Sequence, residues 1–320
     1  MFHTIKHLAL ACALLTHAAA WAAYPDKPVT IIVPFPGGQT GDIIARTVGE
    51  QLTRKFGQPF IIENKAGAGG TLGTAYAARA QHDGYTLLLT STGPFAIAPS
   101  LYSRLAYKPL EDFVAVADIA ATPQILAVGA NSGIQSVAQL IDAARKGDLS
   151  YASAGNGSTQ HLTMEVFKDE TGIKMVHIPF KGSAEAQTQV IGGLIPATSD
   201  SLPAILPQIK AKKLRALAVL DQERSPFLPD LPTLHEQGYP AFSTVAFFGL
   251  LAPKGTDPRI IDALNTELND ILRNPEVAQR FQTLALTPAK PKTARQFQDY
   301  LGEEVSKWQR IVGDAGVKLD

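Results

Sequence analysis

The residues best suited to chemistry in this 320-residue chain lie in short runs rich in glycine, serine and threonine. The first run is Pro34-Phe35-Pro36-Gly37-Gly38-Gln39-Thr40-Gly41-Asp42. It joins a β-branched stretch over 29–34 to a helical pattern over about 42–56, with Ile43, Ile44, Val48 and Leu52 on one stripe. Such a strand-to-helix turn aims backbone N–H groups outward at the positive end of the helix dipole, which suits an anion. Its glycines remove the Cβ that would hold a ligand off the backbone. Asp42 reads as the helix N-cap, accepting from first-turn amides. A second run, Ala66-Gly67-Ala68-Gly69-Gly70, again separates a strand pattern from a helix. Ser91 and Thr92 close a third strand pattern over 85–91.

Three more runs follow further along. Ser153-Ala154-Gly155-Asn156-Gly157-Ser158-Thr159-Gln160-His161 comes after a short strand pattern over 150–152 and opens a helix. Its hydroxyls and amides can take the other side of an anion. Phe180-Lys181-Gly182-Ser183 offers Lys181 as a counter-charge, or simply as a solvated lysine. Thr198-Ser199-Asp200-Ser201 reads as a polar turn after a strand over 194–197, with Asp200 as an acceptor or as an organiser behind the ligand. In open α/β sheets, ligands lie outside the carboxyl ends of the strands, so five polar turns there imply one shared cleft.

Other chemistries fit less well. Neither early glycine run reads G-x-x-x-x-G-K-[ST] or G-x-G-x-x-G, so nucleotide binding has no support. Ser158 and His161 invite a hydrolase, but no G-x-S-x-G elbow surrounds the serine and no acid is placed to orient the histidine. His82, His177 and His235 are scattered without metal-ligand spacing. No catalytic residue, metal or cofactor is expected.

Strand and helix patterns alternate along the chain, which predicts an α/β fold of two parallel or mixed sheets covered by helices. The chain is too long for one compact core. The expected division is a first lobe of 24–120 plus 245–320 and a second lobe of 121–244, with a strand over 242–252 as the return crossing. The formal net charge is zero and 45% of residues are hydrophobic against 18% charged, which excludes a basic nucleic-acid binder and a disordered chain. A monomer is expected. Residues 1–22 read as a secretory signal peptide: Lys6, an apolar run over 8–15, then Ala20-Trp21-Ala22. The single cysteine, Cys12, lies inside it, too early for lipid attachment, so the processed chain holds no thiol.

The order of these landmarks resembles the periplasmic substrate-binding proteins of tripartite tricarboxylate transporters, also called Bug receptors. The resemblance spans about residues 24–316. It rests on Val33-Pro34-Phe35-Pro36-Gly37-Gly38, Glu63-Asn64-Lys65-Ala66-Gly67, Asp83-Gly84-Tyr85-Thr86, Tyr151-Ala152-Ser153-Ala154-Gly155-Asn156, Ile178-Pro179-Phe180-Lys181-Gly182-Ser183 and Gly249-Leu250-Leu251-Ala252-Pro253. It implies a two-domain Venus-flytrap fold, a small carboxylate in the interlobe cleft, a large and a small membrane subunit as partners, and a periplasmic location. Residues 35–40 and 67–69 would grip one carboxylate. The loop over 153–159, Lys181 with Gly182, and Asp200 would contribute from the second lobe. Gln39, Thr40 and Gly41 stand where the family usually has two residues, and Phe248 where it more often has Trp. Two classes of acid fit: an aliphatic di- or tricarboxylate, and an aromatic carboxylate flanked by Phe35, Phe95 and Phe180. A periplasmic sensor presenting its closed form to a kinase is the alternative.

Overall fold

The computed structural model describes residues 24–239 and 243–319; the expected signal peptide lies outside them. The β-branched run forms β1 (Val29–Val33), buried on both faces because helices cover both sides of its sheet. Then come α1 (Thr40–Phe56), β2 (Phe60–Asn64), α2 (Thr71–Ala78) and β3 (Thr86–Ser91). A wide helical turn over Gly93–Ile97 leads into the short α3 (Ala98–Leu101), and α4 (Pro109–Asp112) into the long β4 (Phe113–Thr122). The chain then crosses through Pro123 to β5 (Gln124–Gly129), α5 (Val137–Lys146), β6 (Leu149–Ser153) and α6 (Thr159–Thr171). β7 (Met175–Pro179), α7 (Ser183–Ile191), β8 (Ala197–Ser201), α8 (Leu202–Lys210) and β9 (Leu214–Val219) complete that part. β10 (Ala246–Pro253), α9 (Pro258–Arg273), α10 (Pro275–Thr283), β11 (Thr287–Pro288) and α11 (Ala294–Asp314) return to the first.

Two mixed sheets result. The first has the order β11-β4-β10-β3-β1-β2 and the second β7-β6-β8-β5-β9. Alternation along each strand sends neighbours to opposite layers. Ile31 packs with α1, α9 and α10 on one face of the first sheet, and Ile32 with α2 and α11 on the other. In the second sheet Leu126 and Val128 face α5 and α6, while Ile125 and Ala127 face α7 and α8. The return path is tied to the outward path through Leu220, which accepts from the Thr244 amide at 3.0 Å and whose own amide donates to Gln124 O at 2.9 Å.

Three sequence expectations need correction. α1 begins at Thr40 with Gln39 as its cap, so Asp42 lies inside the first turn and reaches back to the Gly38 amide at 2.9 Å. The expected strand over 194–197 is displaced: 198–201, read as a turn, belongs to β8. Its polar side chains are tolerated in a buried strand because Thr198 donates to Ala152 O at 2.9 Å and Ser199 to Gln160 O at 3.0 Å. The return strand starts at Ala246, because Thr244 still pairs with the segment after β9.

Candidate functional site

The first glycine turn is held by a buried carboxylate. Asp42 accepts from the Gly38 amide, from Arg46 Nε at 3.0 Å and from Asn64 Nδ2 at 3.0 Å. Asn64 Nδ2 also donates to Phe35 O at 3.0 Å, so the end of β2 clamps the turn after β1. Burial pushes the Asp42 carboxyl up, but these donors and the Arg46 charge outweigh it and hold the group below the ordinary carboxylate range. Arg46 is thereby committed to scaffolding. The turn's remaining polar groups, at the start of α1, face the other lobe.

The lobes are closed on each other. Gln39 Nε2 donates to Ser183 Oγ at 2.8 Å, and Thr40 Oγ1 and Ser201 Oγ share a hydrogen bond of 2.7 Å. Gly69, at φ 62°, lies so close to the second lobe that a Cβ there would stand 2.0 Å from Asn156 O. A Cβ on Gly182 would meet Pro36 Cγ at 2.9 Å. Only glycine permits these approaches.

Between the lobes lies a small cavity of about 30 Å³, room for one or two waters. Phe35, Thr40, Gly41, Ser91 and Phe248 form its first-lobe wall, and Thr159, Gln160 and Ser201 the second-lobe wall. Gln124 and Ala246, where the two crossings begin and end, form its floor, and Gln39 closes one side. The starts of α1 and α6 both open onto it. No Lys, Arg or His lines it. A molecule of several carbons therefore fits only when the walls part, and the groups it would meet there are amides, hydroxyls and helix starts.

Behind the second-lobe wall lies Asp200, wholly enclosed. It accepts from Gln160 Nε2 (2.9 Å), Gln187 Nε2 (2.8 Å), Ser183 Oγ (3.0 Å) and the Ser201 amide (2.8 Å). Burial pushes its carboxyl upward, against the pull of these donors. The donor ring matches a carboxylate and sets the polarity of one lobe-to-lobe bond: Ser183 Oγ donates to Asp200 and accepts from Gln39.

The expected contact residues divide into groups. Phe35, Gln39, Thr40, Ser91 and Thr159 reach the cavity. Pro36, Gly37, Gly38, Lys181 and Gly182 line a separate outer pocket on the far side of Gln39, with Lys181 exposed. Gly67, Ala68 and Gly69 form a tight turn at the lobe contact. Asn156 O accepts from Tyr102 Oη at 3.4 Å, and Gly157 packs beside Tyr102. Thr92 Oγ1 accepts the Phe247 amide at 3.0 Å and ties β10 to β3. Ser153 Oγ pairs with His177 Nε2 at 2.6 Å, and Ser158 Oγ caps α6 by accepting the His161 amide at 3.3 Å. Phe95 belongs to the core, edge-on to Phe247.

His161 does not serve Ser158. Its Nδ1 accepts the Gly157 amide at 3.2 Å, and its ring stacks on His177 at 3.9 Å between centroids, with Tyr151 stacked beyond at 4.9 Å from His177. Burial lowers His161 to about 4 and, with the neighbouring His161, lowers His177 to about 3. Both rings are neutral supports beneath the loop over 153–159. Gln124, Gln160, Ser201 and Phe248 are site residues outside the sequence-derived set. A polar residue heading an apolar run, as Gln124 does before Ile-Leu-Ala-Val, was the available signal.

Two lobes closing on a neutral, hydrogen-bonding cleft define a solute receptor. A model of the tripartite tricarboxylate transporter family receptor matches residues 44–317. The BugT protein of Bordetella pertussis is 39% identical over 299 residues, covering 92% of this chain and 91% of that protein. A Rhodopseudomonas palustris structure with adipate superposes with a TM-score of 0.89 at 34% identity, over 92% of this chain and 99% of that one. The MatC structure from the same species with bound malate gives 0.87 at 30%, over 90% and 100%. The chain belongs to the tripartite tricarboxylate transporter receptor family and is a solute receptor, not an enzyme.

Proposed function

We propose that this receptor binds a small carboxylate, aliphatic or aromatic, in the cleft between its lobes and delivers it to the membrane subunits of a tripartite tricarboxylate transporter. The observation that carries this reading is the meeting of two helix starts, α1 and α6, on one cavity walled by hydroxyl and amide groups. Adipate and malate in the two related structures support a carboxylate. The N-terminal leader pattern supports action in the periplasm, and the receptor would act as a monomer. The lobes would comprise 24–120 plus 245–320, and 121–244. Binding would draw on the turns at 35–40 and 67–69, on Ser91 and Thr92, and on the loop over 153–159. Lys181 and Gly182 would guard the outer mouth, and Asp200 would organise the second wall.

Ligand contacts completed only on closure shift the population toward the closed form. Hydrogen bonds to a charged group are worth about 1.5–3 kcal/mol each. A few of them, less the costs of desolvation and closure, suffice for a micromolar Kd, about −8.2 kcal/mol. The test is a thermal-shift screen of mono-, di- and tricarboxylates, followed by calorimetry. A chemically unchanged acid binding at micromolar Kd or tighter supports the reading. A flat response from protein refolded free of bound acid refutes it.

A further inference from the structure

Two hollows meet at the lobe contact, and the wall between them sharpens that reading. The inner cavity holds about 30 Å³ and the outer pocket about 480 Å³. Gln39 is the one described residue that lines both. The outer pocket takes Pro36, Gly37 and Gly38 from the first lobe, and the exposed Ala184 and Thr188 of α7 from the second.

The Gln39 side chain spans the cleft as a partition. Its backbone is fixed as the cap of α1, where Gln39 O accepts the Ile43 amide at 3.0 Å. Its Nε2 donates to Ser183 Oγ at 2.8 Å, and a Cβ on Gly182 would stand 3.4 Å from its Oε1. Both ends of the amide therefore meet the start of α7, and the residue is only 7% exposed. Ser183 does not depend on this partner. Its Oγ donates to Asp200 at 3.0 Å and also accepts from Gln160 Nε2 at 3.4 Å. Shortening Gln39 would remove the partition and leave the ring around Asp200 paired. Other walls are backed by packed residues: a Cβ on Gly41 would meet Val33 and Leu89, and Gln160 and Ser201 are bonded to Asp200 behind them.

We infer that Gln39 sets the length of acid that this receptor accepts. A compact acid is enclosed on the inner side of Gln39. A longer chain must push past that side chain, because the space able to take its far end lies in the outer pocket. This inference rests on the carboxylate reading above and narrows its substrate class to compact acids.

The experiment is calorimetry on protein unfolded and refolded free of bound acid, with two series graded by length: succinate, adipate, suberate and sebacate; benzoate, terephthalate and biphenyl dicarboxylate. The quantity read is the affinity for the longest acid of a series divided by that for its tightest shorter member. Wild type should favour the shorter member by about tenfold or more, the scale on which a pocket rejects added carbon. Gln39→Ala should raise the ratio by about tenfold. Thr188→Trp, added to Gln39→Ala on the exposed side of α7, fills the outer pocket and should return the ratio to near the wild-type value. Longest acids binding wild type as tightly as short ones would overturn the inference. So would an unchanged ratio in Gln39→Ala, or a loss of binding shared by all lengths, either of which would leave Gln39 as a latch alone. A gain for long acids that Thr188→Trp leaves in place would overturn it too, since the chain would then not lie in the outer pocket. Failure of every acid to bind wild type and variants would instead overturn the carboxylate reading, and this inference with it.

Discussion

Asp200 shows how a single side chain can act at one remove from a ligand. Its oxygens are filled by Gln160, Gln187, Ser183 and Ser201, the last two being the residues that meet Gln39 and Thr40 across the cleft. Asp200→Asn keeps the shape but turns a nitrogen donor toward other donors. Denaturant unfolding should show a loss of about 1–3 kcal/mol, the cost of a mismatched buried polar group. Gly69 invites a different change. Gly69→Ala places a Cβ against the Asn156 carbonyl, so the lobes cannot meet as they do here. Ligand affinity should fall at least tenfold, while the loss of stability stays near the 1–2 kcal/mol cost of a left-handed alanine. An unchanged Kd in that variant would show that closure does not use this contact.

The stacked histidines give a pH prediction of known sign. Their folded-state values, about 4 and about 3, lie below the ordinary 6.5. The unfolded chain therefore takes up protons first as the pH falls. Stability is full above about pH 7, declines through the window from 6.5 to 4 for His161 and on to 3 for His177, and levels off below. For His161 the full loss is roughly 3 kcal/mol. His161→Gln should flatten the curve of Tm against pH between 6.5 and 4, and a curve as steep as wild type would refute the assignment.

Among elements, α6 carries the most compact device, a serine cap at the point where a loop meets the cavity. Ser158→Ala removes the bond to the His161 amide and should cost about 1 kcal/mol of stability. It should also weaken ligand binding by loosening the first turn. The pair Thr40 and Ser201 links the starts of α1 and α8 across the cleft. A double-mutant cycle with Thr40→Val and Ser201→Ala, read on ligand Kd, should give a coupling of about 1 kcal/mol. The elements themselves were largely legible. β1, β9, α1 and α9 announced themselves through apolar runs or one-sided stripes. β8 did not, because Thr-Ser-Asp-Ser suggests a turn until its hydroxyls are seen donating to neighbouring carbonyls. The glycine turns were legible as turns between strand and helix, and five of the residues chosen from the sequence reach the cavity. Position along a strand says nothing of which lobe a turn will press against. Gln124 escaped notice because its meaning comes from the crossing, where two distant segments bring its amide into the floor.

At the scale of the molecule, a cavity without cationic walls makes binding insensitive to salt. On the proposed reading the ligand would be held by dipoles within a few ångströms, inside the Debye length at physiological ionic strength. Raising salt from 50 to 500 mM should change Kd less than threefold, where an arginine-lined cleft would lose considerably more. The order of strands has a further consequence. β10 lies between β3 and β4 in the middle of the first sheet, yet it follows the whole of the second lobe in the chain. The second sheet, built from one unbroken segment, can assemble while the first still lacks its central strand. Contacts so distant in sequence form slowly. During synthesis the first lobe stays an open half-sheet until about residue 253 is available, so the position of one strand delays the closing of that lobe until most of the chain has been made.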